Sequence, residues 1–182
     1  MQFETGDRLL YMKVGVHAQE TLEDIIERKQ REIEAEGWAM WGYGGNTCHP
    51  YSMVQPFVAG GSGPIYLAMQ PMKSKHSATP VRASEYSPNG VDWETIPPGI
   101  DVLGSRMALC IDTLEQVETE LDLGTTRVAV GPSKGRSGID YIGHRVDKAC
   151  FEVGAPRMDA SRPVKIELAA RLRAPYAVLV RD

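Results

Sequence analysis

Pro163-Val164-Lys165-Ile166-Glu167-Leu168-Ala169-Ala170-Arg171-Leu172 is the stretch on which the fold turns. Val164, Ile166, Leu168, Ala170 and Leu172 alternate with more polar neighbours, the period-2 pattern of a strand with one buried face. The Pro163 start and the Glu167–Arg171 spacing leave a helix open as the alternative. As a strand it joins six further candidates: Arg8–Val14, Pro64–Met69, Ser105–Ile111, Thr126–Gly131, Ile139–Val146 and Tyr176–Val180. Ser87-Pro88-Asn89-Gly90 and Pro97-Pro98-Gly99 supply the turns between such runs.

Two segments carry helical spacing instead. From Thr21 to Gly37, Leu22, Ile25, Ile26 and Ile33 form one apolar stripe, and Gly37 suits the residue just past a helix end. Asp24–Arg28 and Glu27–Arg31 add i,i+4 pairs on the other faces. From Asp112 to Gly124, Thr113 and Gln116 fit a capping box ahead of Leu114, Val117 and Leu121. Strands therefore outnumber helices and do not alternate with them, which argues against a doubly wound parallel sheet. The expectation is one α+β domain over residues 1–182. It has a strongly bent mixed or antiparallel sheet, with a partly closed barrel as a variant, and two packed helices.

Composition narrows the class. The hydrophobic share of 42% and charged share of 24% belong to an ordinary globular chain rather than a disordered one. Cys48, Cys110 and Cys150 are odd in number and far apart, so neither a disulfide framework nor a zinc ribbon is indicated. No HxH or HExxH spacing occurs, and no metal or other cofactor is expected. The amino-terminal residues lack a basic and apolar leader pattern, and no run approaches the ~18 apolar residues of a membrane span. A reduced, cytoplasmic, membrane-free setting is the expectation.

Charge is unevenly spread. Residues 1–126 hold 9 Lys+Arg against 18 Asp+Glu, residues 127–182 hold 11 against 6, and the two balances of −9 and +5 give the net −4. The basic last third either attracts an anion or pairs with the acidic helices of the same fold.

Two loops carry chemistry. The run Trp38 to Pro50 packs aromatic rings, glycines, a cysteine and a histidine together. Trp41 and Tyr43 offer a surface on which a ring can stack, Gly44 and Gly45 permit close backbone approach, and Asn46, Thr47 and His49 supply directed hydrogen bonds. The alternative puts Trp38 and Met40 on one side of a strand, Trp41 and Tyr43 on the other, and makes Gly44-Gly45-Asn46 a turn. Cys48 and His49 are the candidate catalytic groups, although neighbours on an extended chain point apart and cannot form a dyad with each other. His49 before Pro50 also reads as the start of a helix.

The second loop runs from Gly131 to Gly138 and contains Ser133, Lys134, Arg136 and Ser137. It spells Gly-x-Ser-x-Gly, but the helix that a nucleophile elbow requires is missing from the pattern, which continues as the strand Ile139–Val146. It does not match a phosphate-binding P-loop. What remains is an anion nest of Gly-rich backbone and two cations, or else a solvated hairpin connection. A third cluster, Gly143 to Lys148, reads as a strand with Arg145 and Asp147 paired on one face.

Together these loops suggest a binding domain for a nucleotide-like or other aromatic, anionic small molecule. Trp41 and Tyr43 would hold the ring, and Lys134 and Arg136 the charge. The alternatives are an enzyme using His49 on a phosphoryl or glycosyl bond, a single-stranded nucleic-acid reader, or a protein-partner module. The acidic pI of about 5.6 disfavours a large nucleic-acid footprint. Oligomeric state is not legible.

Overall fold

The computed structural model describes residues 2–44, 50–74, 78–143, 146–154 and 160–182. Along these residues run β1 (Arg8–Val14), α1 (Leu22–Glu36), β2 (Ala39–Tyr43), α2 (Tyr51–Ala59), β3 (Tyr66–Pro71), β4 (Glu85–Ser87) and β5 (Glu94–Thr95). There follow β6 (Met107–Ile111), β7 (Glu115–Asp122), β8 (Thr126–Val128), α3 (Gly138–Tyr141), β9 (Lys148–Val153) and β10 (Pro163–Arg181).

The alternation at 164–172 is the first half of β10, a 19-residue strand that also absorbs the candidate at Tyr176–Val180. Its first half pairs with β7 and β3, and its second half with β6 and β4. The register slips between Leu172 and Ala177. Pro175 has no N–H to give the ladder there, and Tyr176 takes a left-handed φ of 70°, so the strand bends and carries the sheet around with it. The path through the sheet is β2-β6-β10-β3-β1-β9-β8, with β4, β5 and β7 attached beside it. Only β1 and β3 run parallel among the described pairings. The fold is α+β with a bent mixed sheet. Its end strands β2 and β8 do not pair, so the sheet stays open and the barrel variant is not formed.

Helix α1 forms where the stripe placed it. Thr21 accepts from the Asp24 N–H while the Asp24 carboxylate takes the Thr21 N–H, and Gly37 ends the helix at φ 77°. The helix expected at 112–124 is instead β7, followed by a single 3₁₀ turn. Leu114, Val117 and Leu121 suit a helix, but Val117, Thr119 and Leu121 also alternate, and β-branched residues favour the strand. Neighbouring β10 settles it by pairing along the segment, and Thr113 Oγ1 accepts from the Arg171 N–H rather than capping a helix.

The strand expected at 139–146 is also corrected. Ser137 caps the short α3 by accepting from the Ile139 N–H, and the strand begins later, at Lys148. Gly138 is required where it stands, because a β-carbon would collide with Thr126 Oγ1 and lie 2.9 Å from the Leu123 carbonyl. The described residues thus hold three α-helices rather than two. The third is α2, for which Pro50 is the N-cap rather than the first helical residue.

Both faces of the sheet are buried. One face joins Leu10, Met12 and Val14 of β1 to Trp41 and Tyr43 of β2, covered by Ile25 and Ile26 of α1 and by Val54, Phe57 and Val58 of α2. The opposite face splits into two clusters. One gathers Leu9, Tyr11 and Phe151 beside β7, and the other Met40, Cys110 and Val178 beneath the segment 83–102. No helix among the described residues is long and apolar enough to cross a membrane.

Candidate ligand cavity

The apolar stripe of α1 has a gap. Leu22, Ile25, Ile26 and Ile33 ask for an apolar residue near position 29, and the chain puts Lys29 there, followed on the same face by Glu32. Both are buried, at 2% and 4% exposure. Charged groups survive such burial only with partners, and these two have them. Lys29 Nζ donates to Glu32 Oε2 at 2.8 Å and to the Asp101 carbonyl.

The segment around Asp101 is held from several directions. Its N–H donates to Glu32 Oε1 at 3.1 Å, and its carbonyl also accepts from Arg28 Nη1 at 2.9 Å. Its carboxylate meets Arg82 Nε at 2.7 Å. Glu20 pairs with Arg28 at 2.5 Å and closes the network at the amino-terminal end of α1. Charged groups of one helix thereby hold a loop whose Ile96, Ile100 and Val102 are buried in the core beside it.

Between this loop, α1 and the sheet lies a cavity of about 450 Å³. Trp41 to Gly44 form one wall and Met12 to His17 another, with Ile25, Arg28 and Lys29 facing them from α1. Asp101 to Leu103 close the top, and Asp147 and Lys148 stand at the β9 side. Two glycines let the walls approach. A β-carbon on Gly42 would lie 2.6 Å from Ser105 Oγ, and one on Gly15 would lie 2.7 Å from the Met72 carbonyl. His17 Nε2 sits 3.2 Å from the Leu103 carbonyl and 3.1 Å from Ser105 Oγ, tying the rim to the same loop. The turn that presents it holds Ala18 and Gln19 at φ 48° and 67°, a left-handed pair that glycine or asparagine usually fills.

Two cavity groups have their proton affinity moved far by burial. Burial lowers the proton affinity of Lys29 to about 8, the Glu32 carboxylate pulls it back up, and the Arg28 charge lowers it further. Burial also pushes the Tyr43 hydroxyl well above its ordinary value. Tyr43 Oη is the buried side-chain polar atom that has no hydrogen-bond partner among the described residues.

Trp41 and Tyr43, expected to stack a ring, are only 4% and 3% exposed and belong to the core cluster, yet both line the cavity, as does Gly44. Gly45, Asn46, Thr47, Cys48 and His49 lie outside the described residues, and so do His144 and Arg145. Asp147 pairs with Lys148 at 2.8 Å.

Ser133, Lys134, Arg136 and Ser137 do not line the cavity. Their loop folds on itself: the Lys134 N–H donates to the Gly131 carbonyl at 3.0 Å, and Arg127 Nη1 donates to the Gly135 carbonyl at 3.0 Å. Arg136 leans 6.0 Å from the Tyr141 ring centre, and Ser137 is used up as the α3 cap. The lysines and arginine that line the cavity with the aromatic wall are Lys13, Arg28, Lys29 and Lys148. Of these Lys29 was detectable in the sequence, as the gap in the α1 stripe. No group of three or more His, Cys, Asp or Glu side chains placed to hold a metal occurs among the described residues. Compared with protein-family models, with curated proteins and with solved structures, the chain matches none.

Proposed function

We propose that the chain is a small-molecule binding domain whose ligand is a flat-ringed molecule with an acidic group, seated between Trp41–Gly44 and α1. The observation that carries this reading is the cavity of about 450 Å³, within the size range of ligand pockets, lined by an aromatic wall and by Arg28 and Lys29. Apolar side chains such as Met12, Val14 and Ile25 give the ring a dry bed, and the cations with His17 supply the few directed polar contacts that orient a ligand. The anion-holding role given to Lys134 and Arg136 in the sequence reading passes to α1 and to Lys148.

The test is a thermal-shift and tryptophan-fluorescence screen against aromatic carboxylates, nucleotides and other phosphorylated metabolites. A ligand at a hundred times its Kd stabilises the native state by about 2.7 kcal/mol, or roughly 5–10 °C for a chain of this length. Binding is expected to quench Trp41, to be lost in Trp41→Leu and to persist in Lys134→Ala. A ligand whose binding ignores Trp41 and depends on Lys134 would move the site to the 131–138 loop and overturn the reading.

A further inference from the structure

We propose that Lys29 is a carbonyl-capturing amine, so that the cavity takes small aromatic aldehydes or ketones and holds them as an imine on Lys29 Nζ. The inference rests on the ligand reading above and names the chemistry of that same site. Three features of the cavity meet at this nitrogen. Lys29 stands on the cavity wall, with its side chain only 3% exposed. Glu32 Oε2 lies 2.8 Å from the amine, within reach to take and return a proton. Arg28, the neighbouring residue, brings a guanidinium onto the same wall and faces Glu20, Glu32 and the Asp101 carbonyl.

A tie between helix and loop needs only an ammonium, which any surface lysine provides. A nucleophile needs a lone pair, and an ordinary lysine near neutral pH has almost none to give. Desolvation and an adjacent cation are the two devices that free it. Both are present at Lys29, where they bring the amine to about 8 against the pull of Glu32. The charged groups facing it are Glu32 and Arg28 of its own helix and Asp101 of the opposing loop.

The step is a simple condensation. The neutral Nζ adds its lone pair to the carbonyl carbon, a C–N bond forms, and the C=O π pair moves to oxygen. Glu32 carries the proton lost by nitrogen to that oxygen. The carbinolamine then forms C=N and expels its hydroxyl with a second proton from nitrogen as water. Amine and carbonyl thus give imine and water, with no oxidant or metal consumed. Trp41 flanks the bound ring. Lys148, across the cavity, is held 2.8 Å from Asp147 Oδ1 and serves as an internal comparison.

The experiment uses the intact chain, 4-carboxybenzaldehyde as probe and cyanoborohydride to reduce the imine to a stable secondary amine, followed by peptide mass mapping. At pH 7, Lys29 is expected to be labelled at least roughly tenfold faster than the exposed Lys134 and Lys165, since burial leaves far more of its amine neutral than in an ordinary lysine. Its labelling rate should rise with pH and level off above about 8. Excess benzene-1,4-dicarboxylate, which has no carbonyl to condense, should protect Lys29 and leave Lys134 unaffected. Labelling spread over exposed lysines with Lys29 untouched overturns the proposal. Quenching of Trp41 by the aldehyde without a Lys29 adduct overturns the imine and leaves the ligand reading standing. Neither quenching nor adduct removes both.

Discussion

Replacing Gly42 by alanine tests whether the cavity wall is built by close approach of β2 to the 102–105 loop. The new β-carbon would sit 2.6 Å from Ser105 Oγ, 3.0 Å from Ser105 Cβ and 3.3 Å from Val102 Cγ1. Rotating the serine hydroxyl relieves the first contact but breaks its 3.1 Å link to His17, and it leaves the contact to Cβ in place. The loop cannot slide away cheaply, because Asp101 is anchored to Glu32, Arg28, Lys29 and Arg82. Overpacking of this kind costs about 1–3 kcal/mol, and a lost hydrogen bond adds about 1 kcal/mol. Removing a glycine from a strand returns roughly 0.5–1 kcal/mol. The net loss is about 1–3 kcal/mol, read in urea denaturation or as a Tm lowered by roughly 2–12 °C. Ser105→Gly removes both near contacts, so in the double variant the two changes should couple favourably by at least about 1 kcal/mol. A Gly42→Ala protein as stable as the parent, or additive behaviour with Ser105→Gly, would refute the close-packed wall.

Two further outcomes follow from buried polar groups. Tyr43→Phe deletes a hydroxyl that no described residue satisfies, so the variant should gain about 1 kcal/mol, seen as a Tm raised by roughly 2–4 °C. A loss of stability would show that the hydroxyl is satisfied after all. Lys29 gives a pH signature with a definite sign. Its folded-state proton affinity, about 8, lies below the ordinary lysine value, so between the two the unfolded chain holds the proton and the folded chain does not. Stability contributed by this group therefore rises from pH 8 towards 10 and is absent below 8. Denaturation midpoints measured across that range should climb for the parent relative to Lys29→Met, and parallel curves would contradict the assignment.

How much was legible in the sequence varies with how local the determinant was. Helix α1 announced itself because its stripe of Leu22, Ile25, Ile26 and Ile33 and its end at Gly37 are signals carried within its own turns. Strand β1 was equally readable at Arg8–Val14, a run of apolar residues with both faces buried. The segment 112–124 was read as a helix from Leu114, Val117 and Leu121, while Val117, Thr119 and Leu121 fit the strand period equally well. The deciding partner, β10, lies some 45 residues later in the chain. Gly138 was taken for part of a loop, whereas its role is to let α3 pack against Thr126, a contact no local motif encodes.

The site divides in the same way. The aromatic wall at Trp41–Gly44 was read from its own residues and does line the cavity. The basic loop at 131–138 was matched to it only by chemistry; it does not line the cavity, whereas Arg28 and Lys29 of α1 do. A polar residue standing in an apolar stripe, as Lys29 does, was the signal that composition and motif matching passed over.

The course of β10 bears on how the chain reaches its native state as it is made. This strand, the last of those described to leave the ribosome, contributes the shared ladder for β3, β4, β6 and β7. Until it arrives, β3 and β6 have no common neighbour and their apolar faces stand open to water and to other nascent chains. Such late, long-range pairing is slow and prone to association. The capped helix α1, by contrast, can form early from its own residues. Synthesis at low temperature, or a chaperone that shields strand edges, should therefore raise the yield of folded protein more than any change to α1.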